Sequence, residues 1–525
     1  VTPPRRASLA ALAGIAGLAA ILALPDAAAG QASGSLPAFE LGAAVLALCL
    51  LGGAGHRAAR LAIAALATLL LALKLLDRGT SAAFGRPFDP LDDWSLLPKA
   101  AHLLAGTLGP VGAGLAILVV FAALLALPVL LHRCLGGFSR IGGRLRAGTA
   151  TAALLAMALA FALPGDAGRA SNAELVAARV ALVRAAAEDR RVFARALEDD
   201  PTREAAPRFE ALAGHDVVVL FVESYGTAIL RDAGHGAIVR DRLAALARRL
   251  GHAGYVLRSG AMTAPVAGGQ SWLARASVFS GLTIDRQSRY ETLIASGRPS
   301  LNRLMAEAGW ESVAVMPAIT RDWPEAAWSG YDRILAAGEL GYRGRPFDWV
   351  TMPDQFTLAA FQRLVRMQPP GDRRPVMAEI ALISSHAPFT PLARLVPEEA
   401  LGDGSVFDAM AREGPAPAEL WRDTERVRDH YARSLDYTLS AIGDFVLRHG
   451  DDTLFVILGD HPPAPVVTGP GLFRDVPVHV IARDAGLVDR FAALGWVEGP
   501  LPDASRPALA MADFRQTFAR LFSAR

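Results

Sequence analysis

The sequence predicts a bundle of about five membrane-spanning helices followed by an α/β domain, and three observations carry that prediction. Apolar residues make up 52% of the 525 positions and crowd into the first third of the chain, mostly as Ala and Leu. Basic residues alternate from loop to loop between those apolar stretches. Beyond them, continuous apolar runs ending in polar clusters alternate with helical patterns. The length itself implies more than one domain.

A spanning helix needs about 20 mostly apolar residues. Candidate spans lie at 7–24, 39–54, 61–76, 112–131 and 147–163. The first shares features with a signal peptide, since Arg5 and Arg6 precede it and small residues follow at 27–29. The further spans make the chain a membrane protein with or without cleavage. Orientation follows from Lys and Arg in short loops. Arg5 and Arg6 precede span one, His56, Arg57 and Arg60 join spans two and three, and Arg133, Arg140, Arg144 and Arg146 join spans four and five. The first loop carries neither Lys nor Arg, and the third mixes Arg78, Arg86 and Lys99 with Asp77, Asp89, Asp92 and Asp93. The alternation places the N-terminal end inside and the region after the fifth span outside.

Lys74 and Asp77 flank the end of span three, and Trp94 follows. This stretch reads as an interfacial anchor, with a docking surface for protein or lipid as the alternative. Residues 170–198 interleave Leu, Val and Phe with Arg and Glu at helical spacing and form an amphipathic connector. Pro201 and Pro207 close it. The expected domains are therefore 1–165 in the membrane, 166–207 as connector and linker, and 208–525 as an extracytoplasmic α/β domain.

Charge is nearly balanced, with 53 Lys and Arg against 51 Asp and Glu and a net charge of +2, which argues against nucleic acid as a partner. The two cysteines, Cys49 and Cys134, lie in or beside the apolar stretches. The second half thus has no disulfide and no thiolate metal site.

In that half, Asp216 opens a continuous apolar run with the look of a buried central strand. Further strands are expected at 312–316, 376–383 and 453–458, and helices at 238–250, 301–308 and 424–447. Ligands of such sheets bind beyond the carboxyl ends of the strands. Three of those ends carry Glu223-Ser-Tyr-Gly, Ser384-Ser-His386-Ala-Pro-Phe389 and Gly459-Asp460-His461-Pro. Carboxylate oxygens and imidazole together suit a divalent ion such as zinc or manganese. Singly, Glu223 or Asp460 is also a common cap or loop residue and His386 a hydrogen-bonded loop residue. Gly268-Gly-Gln-Ser271 opens another helix, with Arg275 one turn further on the same face. Ser271 is either the helix N-cap or a nucleophile, and spacing leaves the two equal.

These residues resemble the sulfatase-like branch of the alkaline phosphatase superfamily over about 216–480, nearest to lipoteichoic acid synthase and the membrane phosphoglycerol transferases. Val222-Glu223-Ser-Tyr-Gly, Gly268-Gly-Gln-Ser271, Ser385-His386-Ala-Pro-Phe and Gly459-Asp460-His461 carry the resemblance in order and spacing. It implies an alkaline-phosphatase-like α/β fold and one divalent metal, manganese or zinc before magnesium or calcium. Glu223, Asp460 and His461 match its ligands. Ser271 matches the metal-bound nucleophile, usually threonine in the synthases. His386 matches the histidine near the substrate phosphate or leaving group. Arg321 and Trp323 resemble the pair that holds a glycerol-phosphate head, in looser order and spacing.

Two departures narrow the implied activity. Leu273 replaces the proline of the sulfatase Cys/Ser-x-Pro-x-Arg motif, against conversion of Ser271 to formylglycine. Phosphoethanolamine transferases have disulfides in the soluble domain and a Glu-Thr-Arg pattern where this chain has Glu223-Ser-Tyr. The resemblance implies transfer of a phosphoglycerol-type head from a phosphatidylglycerol-like donor to an envelope glycan or lipid acceptor. Hydrolysis of phosphate or sulfate esters is the alternative, followed by phosphoethanolamine transfer and a non-catalytic membrane scaffold.

Overall fold

A computed structural model describes residues 3–24, 38–162, 171–367, 373–469 and 474–523. Positions 27–29, the end of the fifth expected span at 163 and the expected boundary at 165/166 lie outside the described residues. The chain divides into two compact units, Val1–Ala82 with Arg86–Asp189 and Arg190–Arg525 with Ala83–Gly85.

The first unit is built from α1 (Pro3–Ala23), α2 (Ala38–Leu50), α3 (Gly53–Phe84), α4 (Leu97–Leu135), α5 (Gly143–Ala162) and the first part of α6 (Ser171–Glu198). Segments of α1, α3, α4 and α5 are long and apolar enough to cross a membrane, whereas α2 has 13 residues, about 20 Å of helix. Alternating helix directions follow from the polar contacts at each end. Lys74 Nζ of α3 donates to the carbonyls of Leu22 and Leu24 at the end of α1, at 3.0 and 2.7 Å. Near that end Glu40 of α2 accepts from the backbone N–H groups of Asn172 and Ala173 at the start of α6. At the opposite end, Arg146 of α5 donates to the Leu51 carbonyl just past α2 at 2.6 Å.

Helix α3 runs past the expected end of its span because its charges are satisfied within the unit. Asp77 accepts from Phe88 N at 2.8 Å and from Arg179 Nη2 at 2.7 and 2.8 Å. Trp94 is 54% exposed and meets Phe88 edge-on. In α4, Gly109 takes φ 73° before Pro110 and breaks the helix direction there.

The second unit is a nine-stranded sheet in the order β4-β3-β5-β1-β6-β7-β2-β8, with β9 beside β2. The strands are β1 (Asp216–Val222), β2 (Val256–Thr263), β3 (Glu311–Met316), β4 (Arg333–Ala336), β5 (Val376–Leu382), β6 (Thr453–Gly459), β7 (Asp475–Ala482), β8 (Val497–Glu498) and β9 (Leu509–Ala510). The half from β4 to β6 is parallel, whereas β7, β2 and β8 join antiparallel. Every residue of β1 and β6 is buried, which explains their unbroken apolar runs. One face carries α7 (Gly236–His252) and α11 (Thr424–His449), whose Leu243, Leu246, Leu435 and Ile442 join the core there. The other carries α8 (Ser271–Ser280) and α9 (Leu301–Glu307), through Leu273, Val278, Leu301 and Met305. Helix α10 (Asp354–Phe361) precedes β5.

Candidate active site

The three parallel strands β5, β1 and β6 end side by side, with Val222 in register with Leu382 and with Gly459. The next residues are therefore placed together by the sheet. Glu223 N donates to Leu382 O, and Asp460 N donates to Val222 O. Ser224 turns the chain with φ 58° and donates its N–H to Asp460 Oδ1 at 2.8 Å. Close approach of the two strand ends needs glycine at 459, because a Cβ there would lie 1.9 Å from Tyr225 O. Gly459→Ala is expected to cost about 1–3 kcal/mol, read as a lower midpoint in denaturant unfolding.

Glu223, Asp460 and His461 are buried, and one ligand atom from each lies within 4.8 Å of the others. His461 Nδ1 donates to Pro462 O, which leaves Nε2 to face Glu223 Oε1 at 3.4 Å and Asp460 Oδ2 at 3.9 Å. Burial would raise the Glu223 carboxyl, but the charges of His461 and His386 outweigh it and hold it well below the usual range. Asp460 goes the other way, pushed up by burial and by the Glu223 charge. Burial would lower His461, yet the two carboxylates leave it raised. Glu223 is thus held as the anion, while the buried Asp460 beside it lacks a compensating positive charge. With one open imidazole nitrogen beside them, they fit a divalent cation.

Ser271 completes the cluster. The loop before it takes positive φ at Gly268, Gly269 and Gln270, and Gly268 N is fastened to Pro462 O at 2.8 Å. Gln270, not Ser271, occupies the N-cap position of α8. Ser271 is one residue too late to cap, and its hydroxyl turns to the carboxylates instead. Its Oγ donates to Glu223 Oε2 at 3.0 Å and lies 3.2 Å from His461 Nε2.

His386 stands on the loop after β5, which Ser385 Oγ ties to Glu223 O at 2.6 Å. Its Nδ1 donates to the Ala387 carbonyl, so Nε2 is the nitrogen open to a substrate. Asp354 holds the same loop from behind. It accepts from the N–H groups of Ile383 and Ser384 and from the Thr438 hydroxyl, at 2.7, 3.0 and 2.7 Å. Burial nevertheless pushes its carboxyl up to about 6. Asp354→Ala would strand three buried donors, and a loss of about 3 kcal/mol with a slower leaving-group step is expected. A denaturant melt paired with kcat on a good and a poor leaving group checks both effects.

Arg275 lies one turn beyond Ser271, with Nη1 3.0 Å from Met316 Sδ and Nε 4.0 Å from Glu379 Oε1. Glu379, buried in mid-strand β5, also takes hydrogen bonds from Asn302 and Tyr331. Burial raises its carboxyl despite Arg275. Arg275 and Glu379, with Trp272, Tyr290, Trp323 and Tyr331, line a narrow cleft. Trp323 thus joins the Arg275 wall, whereas Arg321 is exposed and makes no hydrogen bond or ion pair to any described residue.

Sequence reasoning missed Asp354, Glu379 and a histidine behind the loop at Asp460. A lone carboxylate within the apolar run of β5 was the available signal for Glu379, whereas Asp354 left none. His479 receives Tyr225 OH on Nε2 at 3.1 Å and meets Ser259 Oγ through Nδ1 at 2.9 Å. Ser259 gives its single proton to Gly499 O at 2.6 Å, so His479 must donate from Nδ1 and accept on Nε2. Burial lowers this imidazole to about 4, and it anchors Tyr225 as a neutral ring.

Residues 215–472 match the sulfatase family model. No curated protein matches the chain. Among solved structures, the lipoteichoic acid synthase LtaP of Listeria monocytogenes is 14% identical over 61% of this chain and 74% of its own, at a TM-score of 0.40. The C-terminal periplasmic domain of EcEptC from Escherichia coli is 13% identical over 59% of this chain and 82% of its own, at 0.39. The phosphonate monoester hydrolase of Agrobacterium radiobacter is 18% identical over 59% of this chain and 74% of its own, at 0.35.

Proposed function

We propose, because residues 215–472 match the sulfatase family model, that Ser271 attacks the phosphodiester of a membrane phospholipid and passes its head group to an envelope acceptor. The observation that carries this reading is the Ser271 hydroxyl, 3.0 Å from Glu223 Oε2 and 3.2 Å from His461 Nε2. Glu223, Asp460 and His461 would hold a divalent metal, manganese or zinc first, which supplies Lewis acidity to the hydroxyl and the phosphoryl oxygens.

Ser271 Oγ forms a bond to phosphorus as the P–O bond to the leaving group breaks, its proton having passed to solvent, since Glu223 is held too acidic to keep it and a bound cation would acidify the hydroxyl. His386 acts at the leaving group through Nε2, giving a proton to the departing alkoxide. In its neutral form, with Nδ1 held on Ala387 O, the same Nε2 accepts the proton of the incoming alcohol. Arg275 stands where it can hold an anionic oxygen one turn from the nucleophile. Trp323 offers an aromatic wall to the head group, which we take to be of the phosphoglycerol type. Among the described residues, four helices long and apolar enough to cross a membrane support a lipid donor. The alternation of basic loops supports an extracytoplasmic active site in a bacterial inner membrane.

The test uses the full chain in detergent. Turnover of a phosphodiester and of a sulfate ester is measured with and without a chelator. Chelator-sensitive phosphodiester cleavage is expected. Turnover of the sulfate ester alone overturns the transferase reading in favour of a sulfatase, and inert protein with metal bound removes catalysis altogether.

A further inference from the structure

At the membrane face that carries the start of α1, four cationic or ionisable side chains of the first unit converge. His56 Nδ1 contacts the Leu48 carbonyl at 3.2 Å, and Arg146 Nη2 donates to the same carbonyl at 3.3 Å. Arg60 lies across Gly136, where a Cβ would sit 2.3 Å from Nη1. Arg60, Arg146 and His132 are all close enough for their charges to act on the His56 ring. The helix-end carbonyls satisfy one nitrogen each of His56 and Arg146 and no more. His56 Nε2, Arg60 Nε, His132 Nδ1 and Arg146 Nε are buried without a hydrogen-bond partner, and His56 is only 3% exposed.

Buried nitrogens without acceptors are rare, and here four occur around one point. No carboxylate can answer them locally, because positions 41–76 and 94–162 contain neither Asp nor Glu. Positive-inside topology does not account for the cluster, since that rule needs only charge in the loops. Arg57, Arg133, Arg140 and Arg144 meet that need, and all four are exposed. A glycine at 136 instead of any larger residue leaves room for the Arg60 guanidinium.

We infer that His56, Arg60, His132 and Arg146 form a binding site for a phosphate group, drawn from an anionic phospholipid of the adjoining leaflet or from free phosphate. Arginine offers a planar fork suited to phosphate oxygens, and basic pockets between membrane helices take lipid head groups. The inference goes beyond the catalytic reading and depends only on membrane insertion of the first unit. The site is distinct in sequence and chemistry from the carboxylate-rich cluster around Ser271 and takes no part in the reaction.

Native mass spectrometry of the full chain, with phosphatidylglycerol, phosphatidylcholine or inorganic phosphate added, tests it. The expected result is retention of phosphatidylglycerol over phosphatidylcholine, reduced at least about tenfold in the Arg60→Gln/His132→Gln double variant. Gly136→Ala keeps every charge, and hence insertion, while displacing the Arg60 guanidinium, and is expected to weaken retention by itself. Competition by inorganic phosphate would assign the site to the free anion, whereas its absence assigns it to lipid. Equal retention by wild type and both variants overturns the inference, as does binding of neither phosphatidylglycerol nor phosphate.

Discussion

Ser271→Ala is expected to lower kcat on a phosphodiester by roughly 10³-fold or more while leaving the fold and the bound metal in place. The Ser271 hydroxyl is the one group in the cluster placed to form a bond to phosphorus, and it makes no capping contact that the helix would miss. The substitution removes a half-buried side chain at the first position of α8, where alanine is a good helix former. Unfolding midpoint and metal content should therefore match wild type, and only the rate should fall. Ser271→Thr keeps the hydroxyl and should retain part of the activity. An alanine variant that turns over at the wild-type rate removes Ser271 from the reaction.

The second large effect concerns the metal and its dependence on pH. Asp460 is raised by burial and the Glu223 charge, and His461 is raised by both carboxylates in spite of burial. Groups with raised values keep their protons further toward neutral pH, and a cation must displace those protons to bind. Affinity should accordingly tighten as pH rises to and through neutrality, by about tenfold per pH unit for each proton displaced. Glu223 is held low and adds nothing to this slope. Isothermal titration of the chelator-treated full chain with zinc or manganese at several pH values reads the slope directly. Asp460→Asn should flatten it and weaken binding at least about tenfold, since it removes one of two carboxylate ligands. An affinity independent of pH would place the metal on other groups.

Much of the catalytic half is legible in the sequence because its centre is buried on both faces. The runs at β1, β5 and β6 have no polar interruption apart from Glu379 and their first or last residues, and their ends announce the site. The antiparallel side is much less legible. β2 reads Val-Leu-Arg-Ser-Gly-Ala-Met-Thr, and no local pattern marks it as a strand. It is held by pairing with β7 along its length, and Trp496 lies against Gly260, where a Cβ would be 2.3 Å from the ring. β7 carries Pro477 and His479, which count against a central strand until their partners are known.

The same contrast holds within the site. Glu223, Asp460 and His461 sit at strand ends, and their shared placement singles them out. Whether Ser271 caps its helix was open in the sequence, because a one-residue shift in the helix start decides it. The left-handed turn at Gln270 makes that shift. Asp354 is silent in the sequence, since its role depends on reaching a loop 29 residues away. In the membrane half, composition locates the helices, but the extension of α3 rests on Arg179 reaching Asp77 from a distant helix.

The central claim is that Ser271 becomes covalently phosphorylated during turnover. Full chain incubated with a phosphodiester donor, quenched in acid and digested, is analysed by peptide mass spectrometry. The account predicts a phosphoryl head-group adduct on Ser271 that disappears when acceptor alcohol is added before the quench. Rapid turnover with Ser271 unmodified at every time point would contradict it.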